Sequence, residues 1–169
     1  MELLLDRGAN ANWGRYQLPL EAARKHPRMK QWLVNRGAEP IETTPLETAV
    51  RYENIATIKS LLLDYGADVN RGIQMTPLEV AAVSKGKLKV AQLLISRGAD
   101  VNLGKQMTPL EAAASQGEME LVQLLINSGA DVNLGKLMTP LESAVVSKGK
   151  RKVAQLLIDG GVNVNLGKQ

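Results

Sequence analysis

Apolar and polar positions along the chain fall into one pattern that returns every thirty-odd residues. Each unit opens on a four-residue signature: Thr44-Pro45-Leu46-Glu47, Thr76-Pro77-Leu78-Glu79, Thr108-Pro109-Leu110-Glu111 and Thr139-Pro140-Leu141-Glu142, preceded by a degenerate Leu18-Pro19-Leu20-Glu21. The prolines step by 26, 32, 32 and 31 residues, the self-similarity of a solenoid with one supersecondary unit per repeat. A threonine before a proline and three residues before a glutamate marks a helix start. The hydroxyl caps, proline fits the first helical position where its missing N–H costs nothing, and glutamate can return a bond to the cap.

The first helix is predicted to be short. Paired alanines such as Ala81-Ala82 and Ala113-Ala114 allow a neighbouring helix close, and glycine-containing breaks (Lys85-Gly86-Lys87, Gln116-Gly117-Glu118) end it after about two turns. A second helix follows with apolar residues at helical spacing, Val90, Leu93 and Leu94 or Leu121, Leu124 and Leu125, the stripe of a half-buried helix. Gly66, Gly98, Gly129 and Gly161 stop it, with Gly8 and Gly37 matching earlier in the chain. Next comes Asp-Val-Asn with a glycine shortly after, as in Asp100-Val101-Asn102-Leu103-Gly104, a turn-rich stretch suited to a projecting hairpin. One unit is helix, turn, helix, extended loop.

These parts recur together at one phase, and the combination of the T-P-L start, the second helix and the G-A-D-V-N ending resembles ankyrin repeats across essentially the whole chain. The resemblance implies an all-α ankyrin-repeat solenoid of stacked helix-turn-helix units with projecting β-hairpin loops, and it implies protein binding without catalysis. The expected division is a single domain over 1–169: a half repeat at 1–17, a degenerate repeat at 18–43, full repeats at 44–75, 76–107 and 108–138, and a last repeat at 139–169. Both ends fall inside repeats without a polar cap, so a longer array is expected. The units starting at Thr76 and Thr139 match at 24 of 31 positions, which points to duplication within a natural array. The main departure is Glu47, Glu79, Glu111 and Glu142 where the family usually places histidine. The capping-box bond is expected to stand in for the histidine's link between repeats.

Composition narrows function by subtraction. The 169 residues hold no cysteine and one histidine, His26, so disulfides, thiolate chemistry and imidazole metal sites lack material, and no metal or cofactor is expected. No paired acid and base or phosphate-cradling loop can be assembled, so the chain is read as not an enzyme. No apolar run approaches the roughly 20 residues of a membrane span, and the N-terminus lacks a signal-peptide pattern, which places the chain in the cytoplasm or nucleus, as a monomer. A net charge of +4 and a pI of about 9.4 raise nucleic acid as a partner. With no Phe and 3% aromatics there are no stacking platforms, and the lysines are dispersed, so nucleic acid is disfavoured.

Function is then sought on positions outside the predicted core. Loop tips read Trp13, Arg15 and Tyr16; Arg71, Ile73 and Gln74; Leu103, Lys105 and Gln106; Leu134, Lys136 and Leu137. Aromatic and arginine side chains dominate binding hot spots, which puts Trp13, Tyr16 and Arg71 first. Two structural alternatives stand beside this: Trp13 lies flat on a neighbouring repeat, or Leu103 and Leu134 pack on one another. A second candidate surface follows the alanine pairs: Arg24 and Lys25, Arg51 and Tyr52, Ser84 and Lys85, Ser115 and Gln116, Ser147 and Lys148. Basic tips and basic helix ends together predict a protein partner of acidic, or mixed acidic and apolar, surface. Trp32 and the methionines Met75, Met107 and Met138 read as interior filling, and Arg151 as exposed. The resemblance also raises hydroxylation of Asn70, Asn102, Asn133 and Asn165. The competing function is a substrate-recruiting or sensor arm of a larger enzyme or signalling protein.

Overall fold

A computed structural model describes residues 43–146 and 151–163, with Arg28 alone before them. The readings of Trp13, Arg15, Tyr16, His26, Trp32, the basic pairs Arg24–Lys25 and Ser147–Lys148, and Asn165 lie outside the described residues. The chain forms two compact units, Met1–Pro45 and Leu46–Gln169. The second carries the structure below.

Among the described residues there are eight helices in four pairs: α1 (Pro45–Arg51) with α2 (Ile55–Leu63), α3 (Pro77–Val83) with α4 (Leu88–Ser96), α5 (Pro109–Gln116) with α6 (Met119–Asn127), and α7 (Pro140–Val146) with α8 (Arg151–Asp159). The helix starts obey the local chemistry of the signature. Thr76 holds an extended backbone and its hydroxyl accepts from Glu79 N–H at 3.2 Å, while the Glu79 carboxylate accepts from Thr76 N–H at 3.2 Å. Thr108 and Glu111 repeat this box at 3.1 and 3.4 Å. Asn54 caps α2 by accepting from Thr57 N–H at 3.0 Å.

Stacking follows from which residues are small and which are apolar. First helices α3, α5 and α7 pack side by side, as do second helices α4, α6 and α8. Ala81, Ala82, Ala112, Ala113 and Ala114 are wholly buried; with only a methyl group each, they let adjacent backbones approach. Leu78, Leu94, Leu110, Leu125 and Leu157 fill the layers between, each contributing about 1.5–3 kcal/mol through burial. Arg151, in register with Leu88 and Met119, is exposed at the start of α8.

Between pairs the chain makes turns; among the described residues no strand forms, so the projecting loops carry no β-ladder. Their backbone donors are used otherwise. Asn102 N–H donates to Asp100 Oδ1 at 2.9 Å, and Leu103 N–H to the Asp100 carbonyl at 3.3 Å, closing a turn within three residues. The following Gly104 is obligatory: a Cβ there would stand 1.6 Å from the Met107 carbonyl oxygen. Gly98, which ends α4, has φ +83° and open space around it, so it is chosen for backbone conformation alone. Met75 and Met107 pack half-buried against the core, but Met138 is 41% exposed. Its neighbours Leu141 and Glu142 are half-buried, whereas Leu78, Leu110, Glu79 and Glu111 are sealed by the loop and helix stacked on them. The reading of Met138 as interior is therefore corrected.

Candidate partner-binding surface

The loop tips are held from below by the glutamates. Glu79 is fully buried, and besides capping its own helix it accepts from three consecutive amides of the following loop: Lys105 N–H at 2.7 Å, Gln106 N–H at 2.9 Å and Met107 N–H at 2.8 Å. Glu47 does the same for Ile73, Gln74 and Met75 (2.7, 3.3 and 3.1 Å), and Glu111 for Lys136, Leu137 and Met138 (2.9, 3.2 and 2.8 Å). Sequence alone assigns these glutamates only the capping bond; in the structure each also holds the loop that closes its own repeat. The same carboxylate, with two oxygens and several lone pairs, makes both. Each tip thereby has its backbone pinned to the first helix of the repeat it closes.

Further bonds lock neighbouring loops together. The Thr76 hydroxyl donates to the Leu103 carbonyl at 3.1 Å, and Thr108 to that of Leu134 at 3.2 Å. Asn70 accepts from Asp100 N–H at 2.8 Å and donates to the Gly98 carbonyl at 3.4 Å. Asn102 treats Asp131 and Gly129 alike at 2.8 and 3.3 Å. Sequence reasoning considered these asparagines only as modification candidates and missed that they stitch the stack. At the other end of the first helices, Lys87 is buried and its ammonium donates to the carbonyls of Val50 and Arg51 at 3.1 and 2.8 Å, a cation on the C-terminal end of α1. The only sequence signal for it was a lysine directly following the helix-breaking glycine. No buried side-chain polar atom among the described residues lacks a hydrogen bond.

With the backbone occupied, what the tips offer a partner is side chains. Arg71, Ile73, Leu103, Lys105, Leu134 and Lys136 are all exposed, Ile73 at 43% and both leucines at 40%. Leucines at that exposure are not sealed against one another. The tips also touch each other through polar groups: Lys105 Nζ donates to the Ile73 carbonyl at 3.1 Å and Gln106 Nε2 to that of Gln74 at 3.4 Å.

The second candidate surface is smaller than expected. α3 is buried from Pro77 through Ala82 and α5 from Pro109 through Ala114, because the helices on either side and the loop above leave these two-turn helices no open face. Only their ends reach solvent: Arg51 and Tyr52 are exposed, Tyr52 at 77%; Lys85 is exposed; Ser84, Ser115 and Gln116 are half-buried. Along this row of ends the charge alternates, for Glu118 and Glu120 follow Gly117 where Lys87 and Lys89 follow Gly86. A polyanion tracking the row would meet acidic groups in the repeat of α5 and α6.

Among the described residues, no helix is long and apolar enough to cross a membrane, and no group of three or more histidine, cysteine or acidic side chains is placed to hold a metal ion. A family model of ankyrin repeats, three copies long, matches residues 20–105 and again 78–168, which together span 20–168. No catalytic family is found in the chain, and no curated protein matches the sequence. Helix pairs stacked through alanine-rich first helices, joined by pinned loops and matched by that model over most of their length, show that the chain belongs to the ankyrin-repeat family.

Proposed function

We propose that the chain is a non-catalytic scaffold that binds a protein partner through the strip of loop tips, with the ends of the first helices at its border. Ankyrin repeats are generally protein–protein interaction modules. The observation that carries the reading here is the combination of pinned backbone and exposed side chains at the tips. Three successive amides of each described loop are taken by a buried glutamate, so the strip has no free edge for strand addition and its affinity must come from side chains. Arg71, Ile73, Leu103, Lys105, Leu134 and Lys136 supply alternating basic and apolar contacts on loops whose ordering cost was met on folding.

The partner that fits is a protein with an acidic, or mixed acidic and apolar, surface, bound by a monomeric chain in the cytoplasm or nucleus. The acidic groups among the row of helix ends disfavour nucleic acid. Trp13, Arg15 and Tyr16 are proposed as partner-binding residues by their place in the repeat pattern of the sequence.

Affinity capture from a cell lysate at two salt concentrations tests this, comparing the wild-type chain with Arg71→Glu/Lys105→Glu. Proteins retained by the wild type should be lost by a variant with an unchanged circular dichroism melt, and retention should weaken as salt rises. Retention of the same proteins by both chains would remove the tips from the binding surface.

A further inference from the structure

Two kinds of turn join the helices within a pair, and they alternate along the stack. Counted from the signature threonine, the left-handed residue between the two helices stands nine positions on at Glu53, ten at Gly86 and nine at Gly117. The short turns close alike. Glu53 N–H donates to the Val50 carbonyl at 3.1 Å and Asn54 N–H to that of Ala49 at 3.0 Å, while Gly117 N–H donates to Ala114 at 3.1 Å and Glu118 N–H to Ala113 at 3.2 Å. The long turn differs: α3 stops at Val83, Ser84 turns to an extended backbone, and the Gly86 N–H is directed at the following repeat.

What the next repeat sets against each turn differs in the same sense. Against the short turn of α1 it sets Lys87, whose ammonium donates to the Val50 and Arg51 carbonyls at 3.1 and 2.8 Å. Against the long turn of α3 the residue in that register is Glu118, and its carboxylate accepts from Gly86 N–H at 3.5 Å. Neither side chain caps its own helix, so both serve the neighbouring turn instead. The carbonyls at a helix C-terminus suit a cation, and an outward amide suits a carboxylate. In the sequence alone the pairing returns once more, for Lys150 holds this register in the repeat that follows the short turn of α5. We propose that the residue opening each second helix is matched to the turn of the preceding repeat, lysine to a short turn and glutamate to a long one, and that this match fixes the order in which repeats stack. Apolar layers do not fix it by themselves, since the units starting at Thr76 and Thr139 agree at 24 of 31 positions. A unit of the Thr139 type placed directly on the Thr76 unit would bring a lysine to the Gly86 N–H, a donor against a donor. The order of the tips is thereby set by contacts away from them.

A double-mutant cycle on the full chain, read by thermal melts in circular dichroism, tests the match. Deleting Lys85 gives α3 the short spacing. With Lys85 present, Glu118→Lys should lower the melting temperature by about 2–4 °C. In the chain without Lys85 the same substitution should leave it unchanged or raise it, because the turn then offers carbonyls. An equal fall in both backgrounds would overturn the proposal and make Glu118 an ordinary surface charge. If the chain without Lys85 does not fold, a charge series decides: Lys87→Gln, Lys87→Glu, Glu118→Gln and Glu118→Lys. Each reversal should melt below the neutral variant at its position, although one reversal lowers the net charge of the chain and the other raises it. A reversal that melts no lower than the neutral variant, at either position, would overturn the match.

Discussion

A glutamate at the third position of a helix has one obvious duty, to close a capping box, and in this chain it has a larger one. Glu111 accepts from Thr108 N–H of its own repeat and from three amides 25 to 27 residues further on. Only an acceptor with two oxygens can serve four donors at once, and a side chain shorter than glutamate would not reach the next loop. Glu111→Ala should therefore destabilise the chain by about 2–4 kcal/mol, since several partly buried N–H groups lose their partner together. Urea titration followed by circular dichroism measures this; a loss under about 0.5 kcal/mol would show that water replaces the carboxylate without penalty. Glu111→Gln should recover only part of the loss, because its amide nitrogen presents donors to donors. The capping half of this role was legible in the four-residue signature. The half that holds the closing loop was not, because local spacing says nothing about which loop amides the fold brings within reach.

Elements show the same division. Helix starts, stops and apolar stripes follow from cap chemistry and period, and each described first helix begins at the proline of its signature. The described loops form no ladder, and three successive amides of each are bonded to a glutamate. Burial of the first helices was also illegible: whether a two-turn helix shows a side to solvent depends on how closely its neighbours approach, and the alanines of α3 and α5 allow an approach that closes it. Lys87 illustrates a residue whose type misleads. A lysine in a turn reads as solvated surface, yet its ammonium ties α1 to the next repeat. Lys87→Met keeps the aliphatic stem and removes both bonds to the end of α1, which should cost about 1–2 kcal/mol. Amide hydrogen exchange should quicken first in α1, and uniform quickening across all helices would mean that Lys87 acts on the whole stack instead.

At the scale of the molecule, stability comes from contacts between adjacent repeats. Apolar layers, the asparagine stitches and the Lys87 bonds join one repeat to the next, and the glutamate clamps hold each closing loop to the first helix of its own repeat. That arrangement spends the backbone and the first helices on the stack itself and leaves side chains at the tips and helix ends as the available recognition chemistry. It explains why a chain with so little catalytic material still has a defined surface to present. Candidate tip residues could be read from sequence because repeats align them in columns; their exposure could not, since an apolar tip residue packs or projects according to the loop's tilt on its neighbour.

The most direct measurement is hydroxyl-radical footprinting of the chain alone and in complex with a protein that it captures, because this reads side chains where the tip amides are already bonded. Binding through the strip predicts protection of Ile73, Leu103, Leu134 and Leu137, with Leu63 and Ile158 on the second helices unchanged. Protection confined to the second helices, with the tips as reactive as in the free chain, would contradict it.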